Sequence, residues 1–538
     1  TASMKESHDY DFIVIGSGFG GSVSACRLSE KGYKVAVLEM GKRWKPEDFP
    51  KTNWNLKRYF WAPLFRCFGF FRLSLFRHAW VLSGVGVGGG SLVYANVLLE
   101  PDAKVWQDPA WKDLEDWKSV MPSFYQRART MLGAEENPHL GPADRMLKES
   151  AEAEKLGDSF KKTTVGVYFG NPGETVSDPY FGGQGPDRTG CKLCGGCMVG
   201  CRHGAKNSLD FNYLYFAEKQ GARIFPDTEV LDVQPLQANP EGKKGYQIFC
   251  RENTPNGTQV ERSFKARGVV FSAGVLGTLP LLLKLRQNGS LPNLSARLGD
   301  QTRTNSESLI GIRCDDAPED LSEGIAIGSG FMLDEETQVE AVRYPKGSDV
   351  MGLTATLMTH STQGWRRISA WLMEILKNPI EFLKTLKIVG WAEKSIILLV
   401  MQTCDSSFQM RLKRSWWCPW KKSLKSVGKR VPPFIEPANR FAEKMAQRFQ
   451  GKPLTALTEI FFNVPTTAHI LGGSIMGKSS SEGVIDSQNR VFHYKNMYVC
   501  DGSMIGANLG VNPSLTITAL SERAMSHVPS KAENPDFS

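Results

Sequence analysis

Four cysteines lie close together in the 538-residue chain with the spacing C-x2-C-x2-C-x3-C: Cys191, Cys194, Cys197 and Cys201. Thiolates spaced in this way can surround a compact multi-iron core, and ferredoxins use the same run, although Arg202 stands where ferredoxins have proline. A structural zinc site more often uses two pairs of ligands separated by a dozen or more residues. Disulfides are disfavoured because no export signal precedes the first predicted strand. We predict an iron–sulfur cluster (3Fe–4S or 4Fe–4S) on a loop, with zinc or free thiols as the alternatives.

A glycine-rich turn near the start of the chain has the pattern of a dinucleotide site. Gly16, Gly18 and Gly21 form G-x-G-x-x-G after an apolar strand, and the next strand ends at the acidic Glu39. Gly16 permits a tight turn, Gly18 lets a pyrophosphate approach the backbone at a helix N-terminus, and Gly21 allows close helix–strand packing. Glu39 can accept hydrogen bonds from a ribose. The predicted elements are strand 10–15, helix 22–30 and strand 34–39.

Further segments extend this nucleotide fold. Residues 84–91 form a second glycine-rich turn, whose backbone can contact the same ligand. A strand is predicted at 228–233, and another at 268–271 leads through a Ser-Ala-Gly loop into a helix that continues to residue 285. The candidate ligand contacts in these segments are Gly88, Gly89, Ser91, Val230, Ala273 and Gly274. Because a long insertion separates the segments, the nucleotide domain is expected to be discontinuous.

The C-terminal region contains the most specific motifs. Thr-Ala-His-Ile-Leu-Gly-Gly occupies 467–473, Asp-Gly occupies 501–502, and Gly-Val-Asn-Pro-Ser occupies 510–514. Together with the earlier glycine loops, in the same order, these motifs resemble the glucose–methanol–choline (GMC) family of FAD-dependent oxidoreductases, in particular its bacterial cholesterol-oxidase-like branch. The resemblance covers nearly the whole chain. It implies a substrate domain over the isoalloxazine ring and oxidation of an alcohol by hydride transfer to flavin N5.

The resemblance also implies roles for individual residues. His469 matches the histidine beside the flavin, and Asn512 matches the asparagine that faces the substrate hydroxyl and the flavin. An imidazole can take or orient the hydroxyl proton near neutral pH, and an amide can hold the oxygen. The implied FAD contacts are Gly16, Gly18, Gly21, Glu39, Gly88, Gly89, Ser91, Asn96, Val230, Ala273, Gly274, Asp501, Gly502, Asn512 and Pro513.

One departure from the family pattern concerns the carboxylate base that sterol oxidases of this type add from the substrate domain. The best local match is the stretch 345–349, which gives this role to Asp349. Glu340, on a probable strand, is the competing candidate, and a simple turn aspartate is the alternative for Asp349. A carboxylate needs a raised pKa to act near neutral pH.

The order of these elements predicts an α/β fold, α+β overall. A discontinuous Rossmann-like FAD-binding domain is expected from residues 8–100, 190–300 and 466–530, with the cysteine loop 191–201 inside it. The substrate domain is expected from 101–189 and 301–465, as a mixed or antiparallel sheet covered by helices.

The net charge of +9 is unevenly distributed. Residues 365–425 contain twelve Lys or Arg against four acids, and residues 53–82 contain five against none, together with ten aromatic residues. Basic side chains interleaved with Trp and Phe suit a membrane interface, although a buried aromatic core with a solvated basic rim is an equal alternative. No module typical of nucleic-acid binding accompanies the charge. No apolar run reaches the roughly 20 residues of a spanning helix, so we expect a cytoplasmic protein, with contact at the inner face of the membrane as an option.

The function that follows is FAD-dependent oxidation of a hydrophobic alcohol, with a 3β-hydroxysteroid or sterol as the expected substrate. A long-chain or terpenoid alcohol is the runner-up, and a non-catalytic membrane-associated flavoprotein is the second class. Certain membrane-associated flavin dehydrogenases of the same family carry a three-iron cluster at a Cys-Met-x-x-Cys stretch, which 197–201 resembles. A cluster would favour an electron-acceptor protein or a quinone as partner over direct reaction with oxygen.

Overall fold

The computed structural model describes residues 8–254, 257–359, 364–415 and 418–537. One large sheet is built around the first predicted strand. Its strands, in spatial order, are Arg223–Phe225, Val35–Leu38, Tyr10–Ile15, Gln259–Phe271, Tyr246–Asn253 and Thr228–Pro235, and Met497–Val499 pairs with Gln259–Phe271 as well. The pairs that join the first four strands and Met497–Val499 are parallel, and the other two are antiparallel.

The second large sheet is antiparallel throughout. Its strands, in spatial order, are Ala355–Leu357, Lys452–Ala456, Ser308–Arg313, Ser395–Gln402, Thr337–Val342, Ile327–Met332 and Lys161–Lys162. One face packs on the helices Pro142–Ala153 and Glu436–Arg448 through a buried apolar cluster. The other face is apolar too, and it borders the first sheet's ligand loops.

Short strands complete the structure: Trp61–Ala62, Cys67–Phe68, Phe71–Leu75, Trp80–Gly84, Glu135–Glu136, Thr164–Val165, Thr175–Val176, Arg188–Thr189, Gln409–Ser415, Cys418–Val427 and Thr466–Thr467. The helices are Phe19–Glu30, Leu56–Tyr59, Trp117–Met131, Pro142–Ala153, Tyr213–Lys219, Val275–Asn288, Gly364–Lys377, Pro379–Thr385, Trp391–Lys394, Glu436–Arg448, Leu457–Phe462 and Ser514–Ser526. None of the helices in the described residues is long and apolar enough to cross a membrane.

The predicted α/β class with a Rossmann-like unit is confirmed. The parallel strands Tyr10–Ile15 and Val35–Leu38 are buried on both faces and flank the helix Phe19–Glu30, as the glycine pattern indicated. The domain boundaries stay a prediction, but the strands of the first sheet come from 10–38, 223–271 and 497–499, and those of the second from 161–162 and 308–456.

Candidate functional site

A cavity of about 1240 Å³ is lined by residues from both large sheets. On the side of the first sheet its wall contains the carboxyl ends of two parallel strands, at Ile15 and Leu38, where open α/β sheets bind their ligands. On the other side, five apolar side chains of the antiparallel sheet form the wall: Leu309, Ile327, Val342, Ile397 and Leu399. The cavity therefore has a polar, loop-built part and an apolar part.

The first glycine turn has the geometry that its sequence predicts. Gly16 has φ +98°, and a Cβ there would clash with the Ser272 carbonyl; a Cβ on Gly21 would clash with the carbonyl of Gly16. Gly18 borders the cavity and has open space where a Cβ would be. The helix Phe19–Glu30 begins directly after Gly18, so its unpaired N–H groups are available to an anionic ligand.

Glu39 lies in the cavity wall just after its strand ends. Its Oε2 accepts hydrogen bonds from Ser17 N (3.1 Å) and Ser17 Oγ (2.7 Å), and its Oε1 accepts from Gly41 N (3.0 Å) and Gly86 N (3.3 Å). Burial raises the pKa of Glu39, and these hydrogen bonds oppose that rise. The carboxylate therefore ties the two glycine-rich loops together beside the cavity, in the position proposed for a ribose contact.

The other predicted cofactor residues fall into two groups. Eight of them line the cavity: Gly89, Val230, Ala273, Gly274, Asp501, Gly502, Asn512 and Pro513. Gly88, Ser91 and Asn96 lie just behind its wall. The Ser91 hydroxyl is already engaged, since it donates to Gly88 O (2.7 Å) and accepts from Leu209 N (3.1 Å), so Ser91 holds the loop rather than offering a free group.

Orphaned polar atoms show that the cavity fits a ligand of FAD's kind. Asn96 is fully buried, and neither its amide oxygen nor its amide nitrogen has a partner among the described residues. The same holds for Asn512 Oδ1, at the other end of the site. Buried polar groups without partners are costly unless a ligand satisfies them. Two helix N-termini, at Phe19 and Ser514, also face the cavity.

A carboxylate that the sequence did not single out lies beside His469. His469 Nδ1 lies 3.0 Å from Glu307 Oε2, and both residues line the cavity. The same carboxylate accepts from Thr467 Oγ1 (2.7 Å) and from Ala468 N (3.1 Å), which fixes it on the His469 segment. Burial disfavours the charged imidazole, but the carboxylates of Glu307 and Glu340 outweigh it and raise the pKa of His469.

Glu340 lies beside Asn512. Its Oε2 accepts a hydrogen bond from Asn512 Nδ2 (3.3 Å), and its Oε1 accepts one from Gln338 Nε2 (2.8 Å). Because side chains alternate along a strand, Glu340 points to the same face as Val342, and its cross-strand partner Leu399 lines the cavity as Val342 does. Burial raises the pKa of Glu340 to about 7, although the hydrogen bond from Asn512 lowers it.

Neither Glu340 nor Asp349 lines the cavity itself. Glu340 is hydrogen-bonded to Asn512, which does line it, whereas Asp349 is engaged elsewhere. Its carboxylate accepts from Gly390 N (3.1 Å) and Ala392 N (2.8 Å), and so it fixes the start of the helix Trp391–Lys394. Asp349 is directed away from the site because it lies seven residues beyond the end of the strand Thr337–Val342, in a turn next to the loop that contains Gly390. The structure favours Glu340, the competing candidate, as the carboxylate of the site.

The four cysteines border a second, smaller cavity of about 230 Å³. None of the four forms a disulfide, and they lie on a loop, as predicted, around the short 3-10 turn Gly196–Val199. Among the described residues, no three His, Cys, Asp or Glu side chains are arranged to hold a single metal ion.

Comparison with known proteins identifies the family. Models of GMC oxidoreductases match residues 184–302 and 426–521, and a model of NAD(P)-binding Rossmann-like domains matches 14–44. The chain is 52% identical over 529 residues to a cholesterol oxidase of Acinetobacter baumannii, covering 98% of this chain and 95% of that protein. The chain belongs to the GMC oxidoreductase family. It is also 44% identical to a cholesterol oxidase of Mycobacterium tuberculosis, covering 98% of this chain and 92% of that one.

The family membership makes the chain an FAD-dependent alcohol oxidoreductase, as predicted. The crystal structure of a pyridoxine 4-oxidase, only 14% identical, shares the fold with a TM-score of 0.61 and covers 96% of this chain and 98% of its own. Glu307 is a residue of the candidate site that sequence reasoning missed: it lies in the divergent span after Arg303, and no motif marks it.

Proposed function

We propose that the chain oxidises the 3β-hydroxyl of a sterol to the ketone. The single observation that carries the proposal is the convergence of Glu340, Asn512 and His469 at the end of an apolar wall. Both relatives named above are called cholesterol oxidases, which supports the sterol as substrate class. The residues of the polar part, from the first glycine turn to Asp501, are proposed to hold the FAD.

Bound FAD supplies the acceptor for the hydride that leaves the carbinol carbon. The protein's own residues deal with the hydroxyl group. Asn512 and His469 orient its oxygen from the cavity wall, and Glu340 accepts its proton, directly or through one water. The raised pKa of Glu340, about 7, suits a base that must both take and release a proton near neutral pH. Glu307 acts through His469, which it positions at Nδ1.

The apolar wall accounts for the proposed substrate class. Five branched aliphatic side chains from four neighbouring strands form a broad surface, with Tyr344 and Met351 beside them. Burial of a rigid ring system against such a surface stabilises the complex by about 25 cal/mol per Å² of apolar area. A long-chain or terpenoid alcohol would use the same contacts and stays the alternative. The electrons are proposed to leave to oxygen, as the relatives' names indicate, or through the iron–sulfur cluster expected at the cysteines.

An anaerobic titration tests the substrate. Purified protein with its flavin is mixed with cholesterol in detergent, and the visible flavin band is followed; we expect it to bleach with one equivalent of sterol. The 3α-epimer of cholesterol is the matched control, because it has the same apolar area but presents its hydroxyl differently, and it should bleach the flavin far more slowly. Equal bleaching by both epimers, or bleaching only by long-chain alcohols, would contradict the sterol proposal.

We also propose that the enzyme meets its substrate at an anionic membrane surface. The rim of the cavity includes Trp61, Pro63 and Phe68, and the neighbouring Leu64 is 88% exposed. Basic side chains accompany these residues, and the exposed ones are Lys57, Arg58 and Arg66. Apolar side chains at an interface, flanked by cations, are typical of peripheral contact with anionic lipids.

A second exposed apolar group adjoins this rim through a chain of ring contacts. Trp371, on the helix Gly364–Lys377, packs on Phe461, and the next residue Phe462 packs on Trp80. Trp80 pairs with Leu75 in the sheet next to the rim. The exposed members of this group are Leu372, Met373, Leu376, Ile380, Leu383, Leu386 and Val389. Residues 416–417 of the basic stretch lie outside the described part of the chain.

Leu376→Glu combined with Leu383→Glu should weaken binding to phosphatidylserine vesicles that contain cholesterol by at least about tenfold, because two exposed apolar side chains are replaced by anions. Co-sedimentation with the vesicles measures the change. Met332→Glu, at another exposed apolar position, is the control and should leave binding intact. Activity on detergent-solubilised cholesterol should stay the same in both; unchanged vesicle binding by the double variant would overturn the proposed contact.

A further inference from the structure

The four cysteine side chains surround one cavity from a rigid loop. Cys191, Cys194, Cys197 and Cys201 all line the volume of about 230 Å³. The loop pairs with the segment before the antiparallel sheet, because Gly195 N donates to Gly324 O (2.7 Å) and Gly324 N donates to Leu193 O (2.9 Å). The ligands of a multi-iron core stand around the core rather than converging on one point, and a cavity bordered by all four thiols is compatible with that arrangement.

A backbone N–H group is directed at one of the four sulfurs: Leu193 N donates to Cys191 Sγ (3.4 Å). The backbone amides of Gly196 and Ala326 lie near the sulfurs of Cys194 and Cys197, and they lower the pKa of these two thiols against the effect of burial. Hydrogen bonds to cysteine sulfur are a means by which proteins tune iron–sulfur clusters, and they hold the ligands in place.

The charge around the cavity complements an anionic group. Its lining includes Lys51, Lys192, Arg202, Lys206 and Lys346 and no acidic residue among those described. Lys206 is only 3% exposed, and its Nζ donates to the carbonyls of Leu92 (3.0 Å), Tyr94 (3.0 Å) and Cys197 (2.8 Å). Within the described residues no carboxylate forms an ion pair with it. A buried cation without a counterion is costly, and four thiolates around a metal core would provide the missing negative charge.

The cysteine cavity adjoins the flavin cavity. Cys197 lines the smaller cavity and the next residue, Met198, lines the larger one. Because consecutive Cα atoms are only about 3.8 Å apart, the two cavities border the same short segment of backbone. Lys206 reinforces this junction, since two of its acceptors belong to the segment 92–97 beside the larger cavity.

We infer that Cys191, Cys194, Cys197 and Cys201 hold an iron–sulfur cluster beside the flavin site, which lets the enzyme deliver electrons singly to a one-electron acceptor. The electron transfer rests on the proposed alcohol oxidation, whereas cluster binding does not. Each alcohol that becomes a ketone loses a C–H hydride and an O–H proton, that is, two electrons and two protons. The two electrons leave in succession through the cluster to two equivalents of a one-electron acceptor, such as a small haem or iron–sulfur carrier, and both protons pass to solvent.

The test is the metal content of the full chain purified without oxygen. We expect about three or four irons and as many acid-labile sulfides per chain. Cys197→Ser and Cys201→Ser should each lose most of the iron and sulfide and keep the flavin, whose content reports correct folding. Cys67→Ser is the matched control, because this partly exposed thiol lies outside the cavity and should leave the iron unchanged.

Three results would overturn the inference: wild-type protein free of iron and sulfide even after reconstitution with ferrous iron and sulfide, one zinc ion per chain without sulfide, or equal iron in all the cysteine variants. Reduction is followed by electron paramagnetic resonance, with dithionite and with cholesterol as separate reductants and ferricyanide as the acceptor probe. A cluster that dithionite reduces and cholesterol does not would support the cysteine site. If cholesterol still bleaches the flavin, that result contradicts the electron transfer through the cluster; if it does not, the result contradicts the proposed sterol oxidation.

Discussion

Glu340→Gln is expected to lower kcat for cholesterol by about 10²–10⁴-fold, the range that a positioned general base contributes. The amide has the same shape and can keep the contact with Asn512, but it cannot accept the hydroxyl proton. Because Glu340 is completely buried, replacing an ionisable group by a neutral one should not lower the thermal midpoint of unfolding. Stopped-flow measurement of flavin reduction under anaerobic conditions isolates the affected step.

The pH dependence supplies an independent check of the same carboxylate. Glu340 has a pKa of about 7 and acts only when it is deprotonated, so kcat/KM should rise with pH through about 7 and level off above it. In Glu340→Gln the residual activity should lose this rise, because the titrating group is gone. A rise that persists in the variant would assign it to another residue and contradict the role of Glu340.

Asp349→Asn is the control for the choice between the two carboxylates. Asp349 accepts two backbone N–H groups at the start of a helix, so the amide should lower the free energy of unfolding by about 1–2 kcal/mol. The rate of flavin reduction should stay within about threefold, because the Asp349 carboxylate is held by Gly390 N and Ala392 N, whereas Glu340 is the carboxylate bonded to Asn512. The opposite pattern, with Asp349→Asn inactive and Glu340→Gln active, would restore Asp349 as the base.

The local motifs allowed much of the fold and of the cofactor site to be predicted. The turn of Gly16, Gly18 and Gly21 depends on residues within a single strand–turn–helix unit, so spacing alone defines it. The His469 and Asn512 motifs are equally local. Each of these segments lies beside the same cavity in the structure.

The remainder depended on contacts between distant segments. Strand register and side-chain alternation decide which of the two carboxylates, Glu340 or Asp349, contacts Asn512. They place Glu340 next to Asn512, which lies 172 positions further along the chain. Glu307 lies 162 positions before His469, and nothing near it in sequence indicates the pairing. The cysteine spacing predicted a cluster, but only the fold shows that the cysteine loop, through Met198, adjoins the larger cavity.

His469→Gln is expected to lower kcat by about 10²–10³-fold, because the amide can still form a hydrogen bond with the hydroxyl oxygen but cannot carry a positive charge there. Glu307→Gln should have a smaller effect on kcat, about tenfold, because the imidazole remains and only its orientation and charge are weakened. In this variant the pKa of His469 should fall, since the carboxylate that opposes the cost of burial is lost. Nuclear magnetic resonance of labelled histidine measures that fall.

Glu459→Gln provides the matched control for Glu307→Gln. Glu459 is as deeply buried, burial raises its pKa to about 7, and it accepts hydrogen bonds from Thr455 Oγ1 and Ser308 Oγ, but it does not line the cavity. We expect its replacement to leave kcat and the pKa of His469 unchanged. If both variants lost activity equally, the effect would come from general disturbance of the antiparallel sheet, and Glu307 would have no specific role. A loss confined to Glu307→Gln, with a lowered pKa of His469, would show that a residue without a recognisable motif positions the histidine that the family motif supplies.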